Sequence, residues 1–380
     1  MEENKSKEVK YRNQSIFVWI VVIFLAYFLG QNIFADAGGI FGENSITYAI
    51  LTIIGGYIFA TIIYEIGKLL FGKIGGYHLV SINLFGLTFY KKQNKTKFKL
   101  SKFQNYGGKT IMAPNKERCC LDCYLLGGLI FSVFITILML VFSHVIANQT
   151  GLDVLIYIEY IIASVTLIIL IFNLAPFIND EYYDGFVLRI VNQNKEFKKI
   201  YNKMLSEEDA LSSGRGELLF FENIDFSNPL YCKASLYNYY YLMANHKENE
   251  AELMVKTGLE NKQYLSDEEI GLLNSMKYYF LFLRGNEEKV GEEFYTLEKS
   301  IRKTATSYHR FETIKTALLV AALVDSSFDL YEYILNRMDK EKERTSNLIV
   351  EVEEELINKS LKQIELKKVD WFREEENIEE

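Results

Sequence analysis

Between Phe59 and Ser81 the chain reads FATIIYEIGKLLFGKIGGYHLVS, a glutamate set in an apolar helix between two positions one turn apart. In H-E-x-x-H the i and i+4 histidines share one helix face and present two imidazoles to a zinc ion, while the glutamate reaches the metal-bound water. Zinc lowers the pKa of that water to about 7, and the glutamate takes its proton. Here Tyr64, Glu65 and Lys68 hold those places. A phenol with a reference pKa of about 10 is a poor neutral ligand, and a lysine ammonium has three donors and no acceptor. An ammonium repels a divalent cation, so Glu65 alone does not make a hydrolytic site. The plainest reading is a membrane helix with Glu65 and Lys68 as an i,i+3 pair near one end, Lys68 reaching toward the headgroups.

A second stretch that could do chemistry ends the last long apolar run: FNLAPFINDEYYDGFVLRI. Asn173 and Pro176 break that helix, and Asp180, Glu181 and Asp184 place carboxylates close to it. Ionisable groups at a membrane are costly and point to function. Of the four histidines, His144 falls near the far end of the third run and His246 and His309 lie well downstream, which leaves His78 beside the Glu65 helix. As a boundary residue His78 contacts headgroups or a strand neighbour. A metal held here would have to use Asp184, Asp180 and His78, a poor zinc set.

The elements that must position these residues are long and apolar. Four runs, Ser15 to Phe34, Ile46 to Phe71, Tyr124 to Ala147 and Asp153 to Ile178, approach or exceed the roughly 20 residues a helix needs to cross hydrocarbon. The first is a retained span, because QNIFADAGG is a poor cleavage site. Lys5, Lys7, Lys10 and Arg12 precede it, the next loop has no basic residue, and the loop YKKQNKTKFKLSKF is strongly basic. Basic loops stay cytoplasmic, which predicts a multi-pass cell-membrane protein with both termini in the cytoplasm. The basic loop also suits anionic lipid headgroups, whereas a net charge of -8 argues against general nucleic-acid binding. YHLVSINLFGLTFYKK alternates and is rich in β-branched and aromatic residues, predicting a β segment over about 78–112. Cys119, Cys120, Cys123 and Cys232 fall on the cytoplasmic side, where a structural disulfide is not expected. The C-x-x-C pair finds no second Cys/His pair for zinc, so the cluster reads as free thiols at a membrane boundary, with lipidation or redox chemistry as the alternatives.

In their order and spacing, YEIGKLLFGKIGGY, HLVSINLFGLTFY, LLGGLIFSVF and NLAPFINDEYYDG resemble the site-2 protease family of intramembrane zinc metalloproteases, over roughly Tyr48 to Arg189. That family has H-E-x-x-H in one core helix, a small membrane-associated β segment, a helix start of G-P type, and N-P-x-D-G or N-L-x-P-F-x-D-G in a third core helix. The resemblance implies that Glu65 falls at the general base, Tyr64 and Lys68 at the two histidine ligands, Asp184 at the aspartate ligand and Asn173 at the helix-breaking asparagine. The long interval from Asn173 to Asp184 keeps Asp180 as an alternative aspartate. Two of three zinc ligands are replaced, so the resemblance implies the fold while the substitutions remove the usual chemistry. Lys68, one turn from Tyr64, is expected to substitute for the metal as a bridge between the second and fourth spans, with Glu65 and Asp184 as its candidate partners.

Beyond about Phe186 the spacing is helical and amphipathic, with breaks at SSGRGE, DFSNP, ENKQYLSDEE and VDSSFD. YYLMANHKENEA and YFLFLRGNEEKV are weakly alike, and helix pairs repeating every roughly 34 to 47 residues suggest a short α-solenoid. Tyr239, Tyr240, Tyr241, Tyr278 and Tyr279 read as core and edge aromatics of such pairs rather than a stacking surface. The last segment reads as a capping helix with solvated charges and an acidic tail.

The expected fold is therefore mainly α. It has a cytoplasmic tail over 1–14, a membrane domain of four helices over 15–185 with its β segment, and a cytoplasmic helical-hairpin domain over 186–380. The expected function is to bind a hydrophobic peptide or transmembrane segment without cleaving it, together with a cytoplasmic partner or transporter, in peptide processing, export, immunity or signalling. No cofactor is expected on this reading. The alternatives are an active intramembrane metalloprotease with an atypical zinc site and a structural subunit of a transporter complex.

Overall fold

The computed structural model describes residues 2–92, 95–100, 107–115, 119–175, 183–213, 217–224, 226 and 228–372. The chain is mainly helical with one small antiparallel sheet, and divides into two compact units, Met1–Ser206 and Glu207–Glu380. The division falls later than the expected boundary at 185. Pro176, Asp180 and the acidic tail lie outside the described residues.

The first unit contains α1 (Glu2–Phe41), α2 (Ser45–Ile74), strands β1 (Tyr77–Leu84), β2 (Leu87–Lys92), β3 (Lys95–Leu100) and β4 (Gly108–Pro114), α3 (Leu121–Thr150), α4 (Asp153–Leu174) and α5 (Asp184–Val191). Helix α6 (Lys195–Ser213) runs across the division. Four helical stretches, Ile16–Ile40, Gly42–Ile74, Leu121–Thr150 and Asp153–Leu174, are long and apolar enough to cross a bilayer. Their outward faces expose Phe24, Ile54, Phe134 and Phe142, side chains that suit hydrocarbon and would be costly in water.

Helices α2 and α3 approach through glycine. A Cβ on Gly127 would stand 2.5 Å from Phe71 Cβ and 2.9 Å from the Gly67 carbonyl oxygen, and one on Gly128 would stand 2.8 Å from the Tyr64 ring. Small residues admit this backbone contact, as the pair in the sequence suggested. Phe71 Cβ cannot swing away, so Gly127→Ala is expected to cost about 1–3 kcal/mol. The measurement is the thermal midpoint of detergent-purified protein; an unchanged midpoint would mean the helices do not touch there.

The sheet has order β3-β2-β1-β4, all antiparallel. Leu84 pairs with Leu87 across a two-residue turn in which Phe85 and Gly86 both have positive φ (52° and 83°). The Asn83 side chain accepts from the Gly86 N–H (3.1 Å) and donates to Thr88 (2.8 Å), which helps hold Phe85 in a conformation costly for a residue with a Cβ. The sheet packs on the end of α2 through β1 and β4. The Tyr77 and Tyr124 rings stack at 5.4 Å, and the Tyr124 hydroxyl donates to the Thr110 carbonyl (2.7 Å). The expected β segment is thus present, extended by a residue or two at either end.

Helix α4 ends at Leu174, earlier than the apolar run suggested, and Ala175 is extended (ψ 129°). Helix α5 packs on α3 and α4. A Cβ on Gly185 would stand 2.1 Å from the Leu174 carbonyl oxygen, so the residue after Asp184 must be glycine for this helix start to close on the end of α4.

The second unit is built from α7 (Pro229–Ala244), α8 (Glu248–Glu260), α9 (Asp267–Leu283), α10 (Glu287–Thr296), α11 (Lys299–Ala305), α12 (Phe311–Leu319), α13 (Phe328–Arg344) and α14 (Asn347–Lys367). Side-chain caps start several of them. Asn228, Ser327 and Ser346 accept from backbone N–H groups, and Ser266 and Glu269 form a reciprocal capping box. A π-helical segment, Val320–Val324, follows α12. Tyr239, Tyr240, Tyr278 and Tyr279 are buried in the core. The final long helix is not simply solvated: Glu353 is fully buried, and Glu341 on α13 nearly so. Both face inward beside basic partners, Lys315 for Glu353, and Arg337 and Arg344 for Glu341.

Cys120 and Cys123 form a disulfide, where the compartment argument led to free thiols. The physical reason is local. Cys120 caps α3 and Cys123 follows on the same face three residues on, which brings the two sulfurs together. Cys119 and Cys232 stand outside the bridge.

Candidate functional site

The candidate site lies where α2, α3, β4 and α5 converge. Tyr64, Glu65 and Lys68 fall on the inward face of α2, with exposures of 1%, 0% and 6%. Asp184 opens α5 and is 8% exposed. The Tyr64 hydroxyl donates to Asp184 Oδ2 (2.8 Å) and Lys68 Nζ donates to Asp184 Oδ1 (2.9 Å), so each carboxylate oxygen accepts one hydrogen bond. Asp184 also sits in the first turn of α5, where a carboxylate is favoured by the helix dipole. The Lys68 ammonium stands 5.2 Å from the centre of the Tyr124 ring, which offers it a second, cation–π contact.

Glu65 is turned toward the sheet. A Cβ on Gly108 would stand 2.8 Å from Glu65 Cγ and 3.0 Å from Glu65 Oε1, so the first residue of β4 leaves just the room this carboxylate needs. Tyr124 completes the surround, fastened to β4 through its hydrogen bond to Thr110.

The structure thus brings together three residues at the predicted ligand positions, Tyr64, Lys68 and Asp184, with Glu65 alongside. Asn173 is buried in α4, and its side chain donates to the Ile169 carbonyl of its own helix (3.0 Å). His78 sits in β1 opposite Ala113 of β4. Asp180 lies outside the described residues. The Lys68 bridge ties α2 to α5 rather than to the fourth span, because the span ends at Leu174 and Asp184 begins a separate helix.

The donor set does not fit zinc. Among the described residues no three His, Cys, Asp or Glu side chains gather where they could hold a metal ion. The groups beside Asp184 are a phenol and an ammonium, both spending hydrogens on the carboxylate a metal would need. What the arrangement does is neutralise a buried carboxylate and fix the start of α5 against α2.

Two participants were not singled out from sequence. Tyr124 and Gly108 carry no pattern that marks them, since their roles depend on the sheet folding back over α2. Glu159, an acid within an apolar run, is buried on α4 at 2% exposure but is not among the contacts of this site. No family model, no curated protein and no solved structure matches the chain.

Proposed function

We propose that this chain is a multi-pass membrane protein of site-2-protease-like architecture that binds a hydrophobic peptide or a transmembrane segment without cleaving it. The observation that carries the reading is the buried Tyr64–Lys68–Asp184 cluster. A hydrolytic zinc site needs deprotonated ligands and an open coordination position for water. Here the two ligand positions on α2 are spent as donors to the third. An ammonium in the cation's place preserves the electrostatics that hold the helices together and supplies no activated water.

Both termini are cytoplasmic in this proposal, on the strength of Lys5, Lys7, Lys10 and Arg12 and of the basic loop after the second span. The helical hairpins of the second unit form a short solenoid-like array that receives a cytoplasmic partner, such as a transporter. Strand β3, an outer strand of the sheet, offers an extended peptide a backbone edge for strand addition.

The test is the metal content of detergent-purified protein beside a Tyr64→His, Lys68→His variant. The expected result is no zinc in the original chain and close to one equivalent in the variant, whose two imidazoles and Asp184 restore a three-ligand set. Stoichiometric zinc in the original would overturn the proposal in favour of an active metalloprotease with an atypical site drawing on Asp184, Asp180 and His78.

A further inference from the structure

The bridge between Cys120 and Cys123 lies on the turn that follows the Lys68 helix. The Cys120 N–H donates to the Gly75 carbonyl (2.9 Å), and the Cys119 thiol donates to the Gly76 carbonyl (3.3 Å). A Cβ on Gly75 would stand 2.8 Å from the Cys120 carbonyl oxygen and 3.2 Å from Cys123 Cβ, and Gly76 has φ of +89°. The cysteine cluster therefore clasps the glycine turn that joins α2 to β1.

A permanent structural role explains little of this. A bridge stabilises chiefly by closing a loop in the unfolded chain, and the gain is smallest for short loops. This one joins residues three apart. The geometry suits exchange better. Cys120 is exposed and caps a long helix, Cys123 is half-buried behind it, and Cys120 Sγ accepts from the Cys123 N–H (3.3 Å). A helix N-terminus favours thiolate. Asp122 in the same turn would oppose it, but is paired with Lys198 (2.7 Å).

We propose that Cys120 and Cys123 are a reversible dithiol–disulfide site, with Cys120 the attacking thiol, Cys123 the resolving thiol, and a small disulfide such as oxidised glutathione the oxidant. The Cys120 thiolate attacks one sulfur of the small disulfide, forming a mixed disulfide and expelling one thiolate. The Cys123 thiolate then attacks Cys120 Sγ and expels the second. Two cysteine thiols are oxidised, one small disulfide is reduced to two thiols, and the two cysteine protons end on the leaving thiolates. A dithiol reductant reverses the sequence. The site sets the state of the turn between the Lys68 helix and the sheet, and it stands independently of the ligand proposal above.

The experiment uses the full chain in detergent, reduced and then equilibrated in glutathione buffers from fully reducing to oxidising. After acid quenching, thiols are alkylated under denaturing conditions and mapped by peptide mass. The expected result is joint loss of the labels on Cys120 and Cys123 as the buffer becomes oxidising, with Cys119 and Cys232 labelled throughout. A Cys123→Ser chain is expected to accumulate one glutathione adduct on Cys120. Labels that persist on both residues at the oxidising end, or a bridge that survives the reducing end, would overturn the proposal. So would a Cys123→Ser chain without an adduct on Cys120. The wild-type titration decides the matter even where the variant does not fold.

Discussion

Replacing Lys68 by alanine is expected to destabilise the first unit by about 3–5 kcal/mol, the usual cost of removing one partner from a buried ion pair. The substitution leaves Asp184 at 8% exposure with Tyr64 as its one remaining donor among the contacts described, and strips the Tyr124 ring of its cation. The penalty comes mainly from the orphaned carboxylate, not from the lost attraction. A Lys68→Ala, Asp184→Asn chain is therefore expected to recover part of the loss, since an amide carries no charge and still accepts from Tyr64. The readout is the thermal midpoint and yield of detergent-purified protein for the two single variants and the double. A Lys68→Ala midpoint equal to that of the parent would remove the bridge from the account of the fold. A double variant that loses as much as the two single ones together would show no coupling between Lys68 and Asp184, and would equally remove the bridge.

Much of this site was legible before the structure because long apolar helices leave few choices. Length and apolarity mark the spans, and an ionisable residue such as Lys68 inside one needs a partner. Its partner lies 116 positions away, a distance no periodic pattern bridges; the order of motifs in the resemblance pointed to Asp184. The end of α4 was legible too, since Asn173 and Pro176 read as breaking the helix and it stops at Leu174, with Ala175, the residue before the proline, extended; only the apolar run itself continues further. The cysteine bridge was missed by reasoning from compartment, which speaks to persistence of a disulfide and not to whether two sulfurs meet. Glu159 was lost in the average of an otherwise apolar run. In the second unit, charges on amphipathic helices read as solvated by default, which passed over the helical spacing of Ile349, Leu356 and Ile357 around Glu353 that puts this glutamate on the apolar face.

That inward glutamate carries the second large effect. Lys315 and Glu353 are both fully buried; Lys315 Nζ donates to Glu353 Oε2 and to the Glu312 carbonyl, each at 2.6 Å, with the Tyr239 and Tyr279 rings 5.9 and 5.8 Å away. Burial pushes the Glu353 carboxyl up to about 7, Lys315 beside it pulls the other way, and Glu312 adds to the rise. The raised folded value means that between about 4.5 and 7 the folded chain holds a proton the unfolded chain has released. This group's contribution to stability is present in full below about 4.5 and is lost as pH rises through about 7. Lys315→Met removes the group that opposes the rise, so its cost depends on pH. At pH 8 the variant must either bury an unpaired carboxylate or hold a proton against the solution, and the expected loss is about 3–5 kcal/mol. At pH 5.5 the carboxyl is already neutral in the fold, and the loss is expected to shrink to the packing and hydrogen-bond difference, about 1–2 kcal/mol. Trp371 packs on Phe328 and Tyr331 within the second unit, so its fluorescence in a Trp19→Phe background follows denaturant unfolding of that unit. Equal losses at the two pH values would mean that Glu353 is charged across the whole range and that the ion pair, not the buried carboxyl, sets the energy. A Lys315→Met, Glu353→Leu chain is expected to unfold with little dependence on pH between 5.5 and 8, because the titrating group is gone and the gap is filled with apolar volume.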